Sequence, residues 1–300
     1  MAEIKARSLV EHAIRVQTQM EEQRRVTEDG WLDVAELLEP RREVMSPAFH
    51  EGEEGGKVGA EIYDGSAIAA HRVWTNGMQG SMLGPTMDWF QFRMRNRMIN
   101  QIREVKIWMR DCEEEMFHCF RRSNFYDSLG EFIGDGGGIG TATLYHEEDV
   151  ENRTINYSTR HPYEIYIAER LGKVDVVHRK YIMRAREVVS YFGKENCPQK
   201  VIWNATNAPL HKYTILHRVF KNDDYIPTGY EHRFNKKWRS LYILLVEQHL
   251  LDLGGYDDFP YAVWRTTKNS NEVYGRSPGS DAIYDIEKVN MMSKTVLEMA

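Results

Sequence analysis

Four groups of residues in this 300-residue chain have types and spacings that could do chemistry. Gly134-Asp135-Gly136-Gly137-Gly138-Ile139-Gly140 has the composition of a phosphate cradle. Such a loop needs a strand before it and a helix N-terminus after it, because the free helix N–H groups hold the anion. Here helical periodicity comes first and strand periodicity follows, and no Gly-Lys-Ser/Thr appears. A flexible or tightly packed helix-to-strand turn is therefore expected. Cys112, His118 and Cys119 include soft metal ligands, but the two cysteines lie two turns apart on the apolar face of one expected helix, without a Cys-x-x-Cys. They read as core thiols. Asp223-Asp224 and Asp257-Asp258 are adjacent carboxylates that could hold a divalent ion. Solvated turn acids are the commoner use, because Asp bonds its own local backbone. The last group is basic: Arg93-Met94-Arg95-Asn96-Arg97, and the stretch from His232 to Arg239. In the second, Arg233, Lys236, Lys237 and Arg239 alternate with Phe234 and Trp238, as on a surface that stacks single strands. Its place between two strand-like segments favours a hairpin loop. These four cations stand as candidate contacts to nucleic acid or to another subunit. No Gly-x-Ser-x-Gly, His-Glu-x-x-His or nucleophile–base pair is present. The residues thus predict no catalytic site, no metal and no cofactor, and favour a structural or assembly role.

Composition narrows the field further. Hydrophobic residues make up 42% of the chain, enough for a sizeable core. The formal charge of −6 argues against a protein that coats nucleic acid through a basic face. It is compatible with one past which nucleic acid must slide. Three cysteines in a chain of this size read as reduced thiols rather than a disulfide framework. No apolar run reaches the roughly 18 residues of a membrane span, so no membrane association is expected.

The elements that must position these groups follow from periodicity. Residues 3–26 read as an amphipathic helix and Trp31 to Leu38 as a second, ended by Pro40. The Pro-, Gly- and Glu-rich stretch 40–59 reads as a linker or mobile loop. Ser66 is the expected cap of the next helix, Trp89 to Phe92 a short strand, and 98–123 the strongest helix, with Ile102, Val105, Met109, Cys112, Met116 and Cys119 on its apolar face. A helix over 124–133 leads into the glycine run. Strands are expected at 141–146, 164–169, 174–182, 212–221, 240–247 and 260–264, with a hairpin turn at Leu171-Gly172 and a short helix over 183–193 closed by Gly193. A final helix opens at Ser280 or Asp281 and carries Ile283, Ile286, Val289, Met292, Val296 and Met299 at helical spacing. No stop signal follows it, so the chain reads as part of a longer protein. Helices first and then mostly strands favour α+β over α/β.

Four segments occur in a familiar serial order: Ile62-Tyr63-Asp64-Gly65-Ser66-Ala67 and the block to Met94; the helix, glycine turn and strand of 125–145; His161-Pro162-Tyr163-Glu164-Ile165-Tyr166-Ile167-Ala168-Glu169; and Tyr274-Gly275-Arg276-Ser277-Pro278-Gly279. In this order they resemble the head-to-tail connector, or portal, proteins of podovirus-type bacteriophages, in the N-terminal part up to the start of the stem helix. The likeness covers roughly residues 60–300. It implies an α+β wing of long helices and mainly antiparallel sheet leading into a stem helix. The implied division is 1–60 as N-terminal helices and flexible linker, 61–275 as wing and core, and 276–300 as the start of the stem. It also implies a non-enzymatic, dodecameric ring at the capsid vertex of the virion, assembled in the host cytoplasm. Its partners would be the terminase motor, capsid and scaffold proteins and tail adaptors, with double-stranded DNA passing through its channel during packaging and ejection. The alternatives are another phage assembly or adaptor protein, or a metal- or nucleotide-dependent nucleic-acid enzyme using the glycine-rich loop or the Asp pairs, with an activity lost on changing Asp135 or Asp257.

Overall fold

A computed structural model describes residues 2–40, 61–227 and 232–300. The chain opens with one helix, α1 (Ala2–Leu37), where two were expected. Gly30 does not break it. A glycine inside a helix costs only about 1 kcal/mol, and contacts on both sides of it hold the helix through. Arg24 is fully buried and donates to the carbonyls of Pro162 (3.3 Å), Tyr163 (2.8 Å) and Ile165 (2.6 Å). Trp31 meets the edge of Tyr274 at 5.3 Å. The expected linker of 40–59 lies, beyond Pro40, outside the described residues.

Next come α2 (Ser66–Met82), α3 (Arg103–Arg122) and α4 (Phe125–Gly138). Ser66 does not cap α2: Gly65 holds the cap position, and Asp64 Oδ1 accepts the Ser66 N–H at 2.9 Å. The segment 89–92 forms no strand. Trp89 and Phe90 instead pack their rings on Phe117 and Phe120 of α3, with Phe90 and Phe117 stacked at 4.4 Å. That contact rotates α3 away from the expected face: Met109 and Phe117 are buried, Cys112 is half-buried, and Ile102, Met116 and Cys119 are exposed. The two thiols of α3 are therefore not core residues.

The strands form two antiparallel sheets. β1 (Thr141–Asp149) lies between β2 (Thr154–Arg160) and β8 (Tyr261–Arg265). The larger sheet has the order β3-β4-β5-β6-β7: β3 (Ile165–Arg170), β4 (Lys173–Arg184), β5 (Lys212–Lys221), β6 (Trp238–Leu244) and β7 (His249–Tyr256). β3 and β4 join through Leu171-Gly172, both at positive φ, as the hairpin reading required. β2 and β7 are additional to the expected strands. α5 (Ala185–Phe192) ends at Gly193, φ +82°, and α6 (Gln199–Asn207) follows. α7 (Pro278–Met299) closes the described chain. The class is α+β, as the order of elements predicted.

The large sheet is covered on both faces, and the period-two alternation of β5 separates them. Leu216, with Leu241 and Ile243 of β6, meets Val10 and Ala13 of α1. Tyr213, Ile215 and Val219 point the other way. There the first two join α5 and α6, while Val219 packs with Tyr145 and Tyr261 of the small sheet. α1 thus crosses one face of the large sheet and reaches its β3 edge. The small sheet and the α5–α6 pair share the other face.

Candidate functional site

The motifs singled out in sequence converge where α7 leaves the body. The glycine run is not a loop: α4 continues to Gly138, and only Gly140, φ +92°, turns the chain into β1. Glycine in a helix is unfavourable, so these residues need a tertiary reason, and their neighbours supply it. A side chain on Gly136 would overlap the Trp264 ring, one on Gly137 the Trp74 ring, and one on Gly138 the Glu39 carboxylate. Two indoles thus pack closely against the backbone of α4, one from β8 and one from α2. Glu39 faces His71 of α2 at 2.6 Å, and His71 stacks on Trp74.

The Tyr274–Gly279 turn seats on the same end of α4. Gly275 N–H donates to Thr141 Oγ1 at 2.8 Å. A Cβ on Gly140 would come within 2.6 Å of the Arg276 backbone carbon. A two-way backbone bridge, Thr267 N–H to Arg276 O (3.1 Å) and Arg276 N–H to Thr267 O (2.7 Å), ties the turn to the end of β8. Tyr274 is buried, and its hydroxyl accepts the Ile167 N–H at 3.2 Å. Burial holds its pKa above the ordinary tyrosine value.

The helix cap is Ser277, not Ser280 or Asp281. Ser277 Oγ accepts the Ser280 N–H (2.8 Å), Ser280 Oγ bonds back to the Ser277 N–H (3.1 Å), and Pro278 takes the first helical position. Ser277 Oγ also donates to Gly138 O, so one hydroxyl caps α7 and anchors it to α4. Gly279 permits the close approach, since a Cβ there would stand 2.6 Å from Leu38 and 3.0 Å from Gly138 O. Ile283 then packs with Val34 and Leu38 of α1. Two turns on, Asn290 accepts the Tyr63 N–H (2.7 Å) and donates to Glu61 O (3.0 Å). Beyond that clamp, Met291, Met292, Val296, Leu297 and Met299 are exposed on the helix.

The basic stretch of 93–97 keeps Arg93, Arg95 and Arg97 exposed along a groove with Lys106 and Arg110, whereas the stretch from His232 to Arg239 resolves into ion pairs. Arg233 pairs with Asp252, Lys236 with Asp257 (2.7 Å), Lys237 with Asp258 (3.9 Å) and Arg239 with Asp224 (3.2 Å). The basic stretch and both Asp pairs therefore face each other around the β5–β6 and β7–β8 connections. No group of three or more His, Cys, Asp or Glu that could hold a metal occurs among the described residues. Nor is any described helix long and apolar enough to cross a membrane. Sequence reading missed Trp74, Trp264 and Ser277 as partners of the glycine run. The only signal of them was the need of each glycine for a neighbour.

Fold and site together define an α+β body with a helix, α7, mounted on the glycine-faced end of another, α4. The chain belongs to the bacteriophage head to tail connecting protein family, whose model matches residues 10–300. Over 292 residues it is 26% identical to the portal protein of Salmonella phage epsilon15, covering 95% of this chain and 51% of that protein. Over 262 residues it is 24% identical to a probable portal protein of Bordetella phage BPP-1, covering 86% of this chain and 47% of that one. The chain spans about half the length of the curated relatives it matches.

Proposed function

We propose that this chain forms the wing and the start of the stem of a portal, the ring at a capsid vertex through which a phage genome is packaged and ejected and to which the tail attaches. The observation that carries this reading is the seating of α7. Its first turns are fixed by Ser277, Gly279 and Ile283, while its distal half presents a row of apolar side chains to solvent. A helix fixed at one end and apolar along its free length suits lateral packing in a closed ring of identical subunits. Family membership supports the same reading.

On this proposal residues 1–60 and 61–275 serve the wing and 276–300 begin the stem. The assembly is a dodecamer of the virion that acts without catalysis. It meets the terminase motor, capsid and scaffold proteins and tail adaptors, and it lets duplex DNA pass. The paired state of Arg233, Lys236, Lys237 and Arg239 supports a role at a subunit border over one on DNA, since each charge already has a carboxylate beside it. Electron microscopy of the full-length protein tests the reading. Rings of twelve with a central hole are expected, and a stable monomer or dimer with magnesium- or nucleotide-dependent activity would overturn it.

A further inference from the structure

Between the two sheets lies a cavity of about 180 Å³. Its walls come from both sheets and from α5: Tyr145 and Arg160 from the small sheet, Arg179 and Tyr181 from β4, His217 from β5 and Tyr191 from α5. Two guanidinium groups therefore share one small, partly enclosed space. Arg179 is compensated: its Nε donates to Glu164 at 2.8 Å, and its guanidinium lies over the Tyr181 ring at 3.9 Å. Arg160 is compensated less: its Nε is buried without a hydrogen-bond partner, its guanidinium lies over the Tyr145 ring at 4.8 Å, and Glu164, already bonded to Arg179, acts on its charge only through space. Glu147, the carboxylate on the wall, accepts a bond from Asn156 Nδ2 at 3.1 Å. His217 has no free ring nitrogen, because Nδ1 meets Tyr261 Oη (2.9 Å) and Nε2 meets Ser240 Oγ (3.0 Å).

We propose that this cavity is a binding site for a small tetrahedral oxyanion, inorganic phosphate or sulfate, with Arg160 as the principal ligand and Arg179 and the Tyr181 hydroxyl as secondary ones. A buried guanidinium N–H without a partner is costly, and the planar N–H fork of an arginine matches an oxyanion through charge-assisted bonds. Burial, and next the charge of Arg179, disfavour the cation on Arg160, and a bound anion offsets both. Burial also keeps the Tyr181 hydroxyl protonated, so it is available as a donor, while the Tyr145 hydroxyl meets that of Tyr256 at 3.1 Å. The volume falls below the roughly 300 Å³ at which sites for larger ligands begin, so a nucleotide does not fit. Because the ligands belong to both sheets, the anion would cross-link them. This site is independent of the portal reading.

The test uses the full-length protein. Phosphorus NMR of inorganic phosphate should show line broadening that sulfate reverses and chloride at equal ionic strength does not. Thermal melts in phosphate should rise to a plateau, and Arg160→Gln should weaken the apparent affinity at least tenfold, while Arg170→Gln, on an exposed ion pair, should leave it unchanged. Excluded salts stabilise proteins in general. A melt that climbs without saturating, and equally in both variants, would therefore refute the site. Absence of broadening, or broadening indifferent to sulfate, would refute it as well. Should Arg160→Gln not fold, the wild-type competition experiment and Tyr181→Phe, expected to weaken binding severalfold, decide the matter.

Discussion

At Gly136 there is no room for a side chain: the Trp264 ring occupies the position a Cβ would take. Gly136→Leu is expected to cost about 3 kcal/mol through overpacking, read as a lower urea midpoint with an unchanged slope. Gly77 of α2 has open space around it. Gly77→Ala should therefore stabilise by about 0.5–1 kcal/mol, the ordinary gain within a helix. The same composition thus has opposite meanings at the two sites. Buried histidines supply a second residue-scale prediction. Burial, then nearby cations, push His178 (Arg218) and His217 (Arg179) well below the usual imidazole range. Below about pH 6.5 the unfolded chain binds protons that the folded one refuses, so stability falls as pH drops from 7 toward 5. The slope approaches at most about 1.4 kcal/mol per pH unit for each histidine. Urea unfolding at several pH values should show it, with a shallower slope in His217→Gln.

Among the elements, α7 is the one whose placement matters most, and a single hydroxyl does two tasks for it. Ser277→Ala removes the cap and the bond to Gly138 O together. The cap alone is worth about 1 kcal/mol. Faster amide exchange confined to the first turns of α7, with α4 unaffected, is the expected signature. Gly279→Val should act differently: it leaves the cap intact but forces α7 away from Leu38 and the α4 carbonyls. Its effect should appear as a lower yield of assembled rings at near-normal monomer folding, measured by native mass spectrometry. α3 and the segment 89–92 illustrate the opposite case. There the apolar pattern identified a helix correctly but not its buried face, because the Trp89–Phe90 partner comes from outside the helix.

The whole molecule sets two demands on α7, a fixed base and a bare outer half. Met291, Met292 and Val296 are exposed in the single subunit, so replacing them with glutamine should change its stability by less than about 0.5 kcal/mol. Under the portal proposal the same triple substitution should sharply reduce ring formation, visible by mass photometry of the full-length protein. Unchanged rings would show that this face is not used between subunits. The acidic balance of the chain belongs to this scale too. The −6 charge and the paired state of the β5–β6 cations limit the basic surface for phosphate contacts on that side of the body, while Arg93, Arg95 and Arg97 stay exposed on another.

Local signals in the sequence determined a good deal: the α+β class, the hairpin at Leu171-Gly172, the helix stop at Gly193 and most strands. They were legible because each depends on the periodicity or backbone freedom of neighbouring residues. The serial order of the connector-like segments pointed to the family. Only the tertiary structure decided why the glycines of 134–140 stand together, which serine caps α7, and that α1 is one helix. Each of those rests on a residue distant in sequence: Trp74 and Trp264 on α4, Gly138 O under Ser277, and the carbonyls of 162–165 around Arg24. A close approach between backbones involves two partners, and the spacing within one segment encodes only its own.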